Sequence, residues 1–364
     1  MEQTSQREIR AIDPTWTIAD ITARLAKALA GEGQAITLGP ISTKTVPSEI
    51  SLVVSTSGST GDAKEVGLSA AALVASARAT NKFFGASAGQ TWSLLLPLTH
   101  IAGINVLVRA LELGTIAIDA RGITGKYPDA DYTAVVPTQL FRALNGDADL
   151  LAHLQSAKLV LVGGSALDKK LGDQARAAGI NIVESYGMTE TCGGCVYDGR
   201  PIGDTSVEIN RDGLIKISTA SLATTYLNDA LGWSSKLVDG YFLTSDLGEI
   251  NDGKLTVTGR ADDVIVTGGE NISLTKVEEV IRNTFAGIEC AAFAVADAKW
   301  GQALHLAIAG KVKPEISKIN ESLSSQISAA AKIKGVIYLD QMPRSALDKV
   351  DRQELVNIAS REGK

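Results

Sequence analysis

The stretch V-V-S-T-S-G-S-T-G-D-A-K, from Val53 to Lys64, ends an apolar run in seven consecutive Ser, Thr and Gly residues and closes on a cation. Such a composition cannot pack a core. Its backbone N–H groups and hydroxyls can wrap an anion, and Lys64 can neutralise one. It is not a G-x-x-x-x-G-K-[ST] loop, because Ala63 stands where the second Gly would be. Taken alone it reads more readily as an ordinary linker. Four further segments carry chemistry. Tyr186-Gly187-Met188-Thr189-Glu190 offers a ring to stack on a base, a hydroxyl for a phosphate and a carboxylate for Mg²⁺. Tyr241-Phe242-Leu243-Thr244-Ser245-Asp246 brings a carboxylate to a strand end, where it could accept ribose hydroxyls or simply open a turn. Gly259-Arg260 supplies a cation. So does P-R-S-A-L-D-K-V-D-R, from Pro343 to Arg352, although Lys349 alone reads as an ordinary surface lysine.

The elements that must position these groups alternate strand, turn and helix between about 49 and 186. Strands are expected over 50–54, 92–96, 115–119, 133–136, 159–162 and 180–183. Helices are expected over 70–84 behind a Ser69 cap, over 101–113 ended by Gly114, and over 138–144 and 167–178. This alternation predicts an α/β fold with a mostly parallel sheet layered by helices and ligands at the strand C-terminal ends. Asn210-Arg211-Asp212-Gly213 and Asn251-Asp252-Gly253 are hairpin signals and mark a small antiparallel β unit over about 195–260. Beyond it, a helix over 274–283, strands over 291–295 and 303–308, a helix over 314–333 and a strand over 335–339 predict a compact α+β domain. The expected division is 1–260 and 261–364, with Gly259-Arg260-Ala261-Asp262-Asp263 at the junction.

Together and in this order, the five segments resemble the adenylate-forming superfamily of acyl-CoA synthetases, peptide-synthetase adenylation domains and luciferases. The resemblance covers nearly everything after about Ser51. It implies ATP, Mg²⁺ and coenzyme A as cofactor and co-substrates. The phosphates would lie on Thr56, Ser57, Gly58, Ser59, Thr60, Gly61 and Lys64. The rest of the nucleotide would meet Gly163, Gly164, Ser165, Ser185, Tyr186, Gly187, Met188, Thr189, Asp246 and Arg260. Glu190 would hold Mg²⁺, and Lys349 would bridge the carboxylate and α-phosphate oxygens as the catalytic lysine. A mobile C-terminal domain would turn about Asp262, and Gly268 and Gly269 would line a pantetheine channel. The chain departs from the family pattern at Ala63, a usual Pro, and at Glu65, Ser245 and Asp348, usual glycines. Only about fifty residues precede the phosphate loop, so a truncated front end, with the N-terminal subdomain largely missing, is expected.

The acid to be activated is suggested by the apolar segment over 101–113, where Asn105 and Arg109 share one face. A cation there needs an anion, either an internal partner such as Glu112 or a second carboxylate on the substrate. A closer resemblance within the family, carried by Leu96-Pro97-Leu98-Thr99-His100, Val136-Pro137-Thr138-Gln139-Leu140 and the segment ending Gly163-Gly164-Ser165, implies an aromatic dicarboxylate. Arg109 would grip its aromatic carboxylate, and His100 would gate a site shared with Asn105, Thr138, Gly163 and Gly187. A ligase for another aryl or acyl acid and a non-catalytic nucleotide-binding member stay open as alternatives.

Composition bounds the rest. With 35 basic and 41 acidic residues the net charge is −6, and the chain has no basic cluster, so nucleic acid is not the expected partner. No apolar run is long enough to span a bilayer, and M-E-Q-T-S-Q-R-E-I-R has no secretory core, so a cytoplasmic protein without a membrane partner is expected. The assembly state is open, a homodimer among the options. Three cysteines exclude a disulfide framework, and Cys192-Gly-Gly-Cys195 has no second half to complete a zinc site.

Overall fold

A computed structural model describes residues 5–56, 63–285, 287–297, 299–310, 312–344 and 350–362. It divides into two compact units, Met1–Thr244 with Ile250–Thr256, and Ser245–Glu249 with Val257–Lys364.

The first unit holds two large sheets. One orders its strands as Thr225–Tyr226, Lys64–Ser69, Ile50–Thr56, Ala35–Leu38, Gln6–Ala11 and Thr45–Pro47. Its front half comes from the N-terminal fifty residues, which were given no elements from sequence. Helix Ile18–Leu29 starts on a Thr17/Asp20 capping box and buries Ile18, Ile21, Leu25 and Ala28 at helical spacing. The opening stretch leads into a strand for which the sequence gives no expectation. Ile50–Thr56 turns back as an antiparallel hairpin onto Lys64–Ser69, pairing Thr56 with Lys64. The helix, Ala70–Phe83, begins only after that second strand, with Ser69 Oγ accepting from the Ala72 N–H. Lys64 therefore opens a strand, and Ala70–Phe83 starts only where that strand ends.

The second sheet runs Arg200–Pro201, Gly193–Tyr197, Ile182–Met188, Leu159–Val162, Tyr132–Val135, Trp92–Leu94 and Ile118–Asp119. Its last five strands are parallel and its first two pairings antiparallel. Leu161 points into a core shared with helices Ala70–Phe83 and Ile101–Glu112. Val160 and Val162 point to the opposite face, onto Leu140, Leu150, Leu154 and Ala175 of three further helices. This burial of both faces explains why the parallel strands read as unbroken apolar runs. Each fully buried Leu or Val contributes about 2 kcal/mol. The helix Ala148–Ser156 was not anticipated, and the strand expected over 115–119 shrinks to Ile118–Asp119. Both hairpin signals hold. Asn210–Gly213 joins Ser206–Ile209 to Leu214–Ser218. Asp252 and Gly253, at φ 52° and 70°, turn Tyr241–Asn251 into Lys254–Arg260.

The second unit is an α+β layer. Strands Glu270–Ser273, Val264–Thr267, Gly301–Ala309 and Glu289–Asp297 pair in that order, with Gly335–Leu339 parallel to Gly301–Ala309. The helix expected over 314–333 ends at Gln326. Beyond it, Asn320 Oδ1 accepts from the Ile333 N–H, and the chain folds back to bury Ala331 and Ile333. A closing helix, Arg352–Glu362, was not foreseen.

Candidate active site

The hairpin Ile50–Thr56/Lys64–Ser69 carries the loop singled out from sequence. Ser57, Gly58, Ser59, Thr60 and Gly61 lie outside the described residues, as does Lys349. The stem of that loop is well defined. Thr56 Oγ1 donates to the Lys64 carbonyl at 3.4 Å. The Lys64 ammonium lies 4.6 Å from the centre of the Tyr226 ring, a cation–π contact worth about 1 kcal/mol. On the same side chain, the Tyr226 hydroxyl donates to Glu190 Oε1 at 2.7 Å. Burial and the neighbouring Glu190 carboxylate push the Tyr226 phenol up, so it stays a donor. Lys64 and Glu190, 126 positions apart in sequence, are thereby joined through one tyrosine that sequence reasoning missed. No periodicity or spacing marks it, because Thr225–Tyr226 is a two-residue strand recruited by pairing with Val66 and Gly67.

Asn228, two residues on, fixes the backbone on both sides of Lys64. Its Oδ1 accepts from the Glu65 N–H at 2.9 Å, and its Nδ2 donates to the Ala63 carbonyl at 2.7 Å. Glu65, the residue at a usual glycine position, is only 4% exposed. Its carboxylate accepts from the Ser42 N–H, from the Ser42 hydroxyl at 2.7 Å and from the Thr43 hydroxyl. Burial alone would push this carboxyl up. The hydrogen bonds from Thr43 and Ser42 outweigh burial and hold it below the ordinary value.

The Tyr186–Glu190 motif sits differently from the expectation. Ile182–Met188 is one strand, so Tyr186, Gly187 and Met188 are in the sheet and only Thr189 and Glu190 follow it, in a 3₁₀ turn. A Cβ on Gly187 would collide with the Gly193 carbonyl and lie 2.7 Å from Gly194 Cα. Gly187 thus lets Ile182–Met188 and Gly193–Tyr197 close together at a register shift. Gly163 stands beside Ser185, where a Cβ would come within 3.3 Å of the Ser185 Cβ. Gly164 is left-handed at φ 87°, and Ser165 is exposed.

Helix Ile101–Glu112 starts at His100, whose ring lies 3.4 Å from the Thr99 hydroxyl. Asn105 and Arg109 are each 2% exposed. Asn105 Nδ2 donates to the Cys192 carbonyl at 2.7 Å, while its Oδ1 has no partner among the described residues. Glu112, the internal partner named for Arg109, pairs with Arg78 at 2.5 Å. Arg109 makes no ion pair among the described residues, and its Nε is unpartnered. Its guanidinium lies 5.1 Å from the Trp92 ring centre, and burial draws its pKa down. Thr138 is exposed on the first turn of Pro137–Leu144.

In the second unit, three residues given separate roles from sequence meet. The Arg260 fork donates twice to Asp262, at 2.7 Å each, and once to Asp246 at 2.9 Å. These carboxylates hold the guanidinium pKa up, the Asp262 hydrogen bonds most of all. Gly268 and Gly269 are both left-handed, and Gly268 adjoins Trp300, which a Cβ there would approach to 3.3 Å. Cys192, Cys195 and Cys290 are buried free thiols, and no metal-ligating cluster occurs among the described residues. None of the described helices is long and apolar enough to cross a membrane.

Comparison with known proteins places this arrangement. Residues 5–213 match the AMP-binding enzyme family. A probable 2-succinylbenzoate–CoA ligase of Mycobacterium tuberculosis H37Rv is 36% identical over 329 residues, covering 85% of this chain and 85% of the relative. The 2-succinylbenzoate–CoA ligase of Lactococcus lactis is 28% identical, covering 84% of this chain and 71% of its own. The fold is shared with O-succinylbenzoate coenzyme A synthetase from Bacillus subtilis in complex with AMP. That match has a TM-score of 0.76 at 19% identity, over 96% of this chain and 95% of the other. With more than half its length inside the family match, and the Ile50–Thr56/Lys64–Ser69 hairpin and the Tyr-Gly-x-Thr-Glu segment in one sheet-built unit, the chain belongs to the AMP-binding enzyme family.

Proposed function

We propose that this chain is an AMP-forming acid–thiol ligase acting on 2-succinylbenzoate, an aromatic dicarboxylate that the resemblance assigns to menaquinone synthesis. The observation that carries the reading is the pair Lys64 and Glu190 joined through Tyr226, with Lys64 closing the Ser/Thr/Gly stretch in sequence. A fixed cation and a fixed carboxylate suit a polyphosphate and its divalent cation. One Glu190 oxygen takes the Tyr226 hydroxyl and the other has no partner among the described residues, so the donor set fits Mg²⁺. That ion, when bound, neutralises charge on the phosphate oxygens.

In the first half-reaction the succinyl carboxylate oxygen attacks the α-phosphorus of ATP. The bond to pyrophosphate breaks, and an acyl-adenylate forms. Lys64, Thr56 and the loop hold the β and γ phosphates against the repulsion of two anions, and Lys349 is assigned to the reacting oxygens. In the second, the coenzyme A thiolate attacks the acyl carbonyl and AMP leaves with its bonding pair. Arg109, buried and without an ion pair among the described residues, is assigned to the ring carboxylate. Asp246 is assigned to the ribose, Asp262 to a hinge, and Gly268 and Gly269 to the pantetheine arm. Support for the substrate comes from the 36% identical relative and from the Arg109 environment.

The test is mass spectrometry of products from ATP, Mg²⁺, coenzyme A and a panel of acids. A thioester from 2-succinylbenzoate alone is expected. Thioesters from simple aryl or fatty acids would keep the chemistry and overturn the substrate. Absence of AMP from every acid would overturn both and favour a non-catalytic nucleotide-binding role.

A further inference from the structure

Opposite charges near one another in a partly buried site collapse into an ion pair unless something stands between them. Lys64 and Glu190 do not pair here. Tyr226 is interposed, its ring under the ammonium and its hydroxyl on the carboxylate. Every part of this tyrosine is held. It is 1% exposed. Its backbone is paired with Val66. Trp233 packs edge-on against its ring at 5.1 Å. The segment around it adds bonds to Glu190 and to the residues on either side of Lys64. The Ala223 N–H donates to the Glu190 carbonyl at 2.7 Å, the Leu227 N–H to the Glu65 carbonyl at 2.8 Å, and Asn228 holds Ala63 and Glu65.

We propose that Tyr226 is a positioning residue that keeps the Lys64 ammonium and the Glu190 carboxylate apart and aimed, so that one stays available to a polyphosphate and the other to its divalent cation. The inference rests on the nucleotide-binding reading above. It assigns two separable tasks to one side chain. The hydroxyl serves the cation side through Glu190, and the ring serves the phosphate side through Lys64.

The experiment is calorimetric titration of ATP into wild type, Tyr226→Phe and Tyr226→Leu, each with Mg²⁺ and again in EDTA, with melting curves alongside. Tyr226→Phe keeps the ring, so binding in EDTA should match wild type. Binding with Mg²⁺ should weaken about tenfold, as loss of one charge-assisted hydrogen bond implies. Tyr226→Leu should weaken both. A Tyr226→Phe protein that binds MgATP as wild type does, or that loses both affinities equally, would overturn the positioning role. Loss of melting temperature with unchanged affinities would reduce Tyr226 to a structural residue and overturn it too. Wild type that binds no ATP under either condition would overturn the nucleotide reading itself, and this inference with it.

Discussion

Replacing Arg109 by Met separates two accounts of a buried cation that predict shifts of opposite sign. Arg109 is 2% exposed and lacks an ion pair among the described residues. The compensation it shows is the Trp92 ring at 5.1 Å, worth about 2 kcal/mol when desolvated. Removing a guanidinium from water costs several kcal/mol after relaxation. The residual penalty without substrate is therefore about 1–3 kcal/mol, and Arg109→Met should melt higher than wild type, by about 2–4 °C per kcal/mol. Bound to a carboxylate at about 4 Å, the same cation gains up to about 4 kcal/mol at an effective dielectric of 20. Substrate desolvation takes back about half of that. The kcat/KM for 2-succinylbenzoate should then fall between about thirtyfold and a thousandfold. For 4-oxo-4-phenylbutanoate, the same acid without its ring carboxylate, it should not fall. The assay is coenzyme A thioester formation from each acid, with a melting curve for each protein. A lower melting temperature with equal activity losses on the two acids would refute the reasoning and make Arg109 a structural partner of Trp92.

Three further predictions concern the frame of the site. Gly187→Ala must push a Cβ into the Gly193–Gly194 backbone, which cannot yield as a side chain end would. The expected loss is about 3 kcal/mol, read by urea denaturation. Glu65 has a depressed folded pKa, so its stabilising effect is complete above the unfolded carboxyl value of 4.5 and is lost as pH falls through the lower folded value. Glu65→Gln should therefore cost about 1–2 kcal/mol at pH 7, and the gap to wild type should close on acidification below pH 4.5, measured by denaturation at stepped pH. Burial pushes the thiols of Cys195 and Cys290 up to about 12 and that of Cys192 higher still. All three should resist alkylation at pH 8 in the folded protein and react once it is unfolded, as counted by intact mass.

What the sequence determined by itself is the local chemistry and most of the elements. Ser69 capped its helix, Gly114 ended another at φ 73°, and both Asn/Asp–Gly hairpins formed as expected, because caps and tight turns depend on residues within four positions of each other. The family motifs were likewise contiguous and legible. The N-terminal strands, the hairpin that follows Ile50–Thr56 and the final helix were not, since short strands acquire their identity from partners far along the chain. Only the tertiary structure decided that Glu112 pairs with Arg78 and leaves Arg109 buried beside Trp92. It alone brought Ser42 and Thr43 onto Glu65. It also set Tyr226 between Lys64 and Glu190. Each of these is a contact between residues of different segments well separated in sequence, where side-chain distance is fixed by packing of sheets and helices and leaves no periodic trace in the chain.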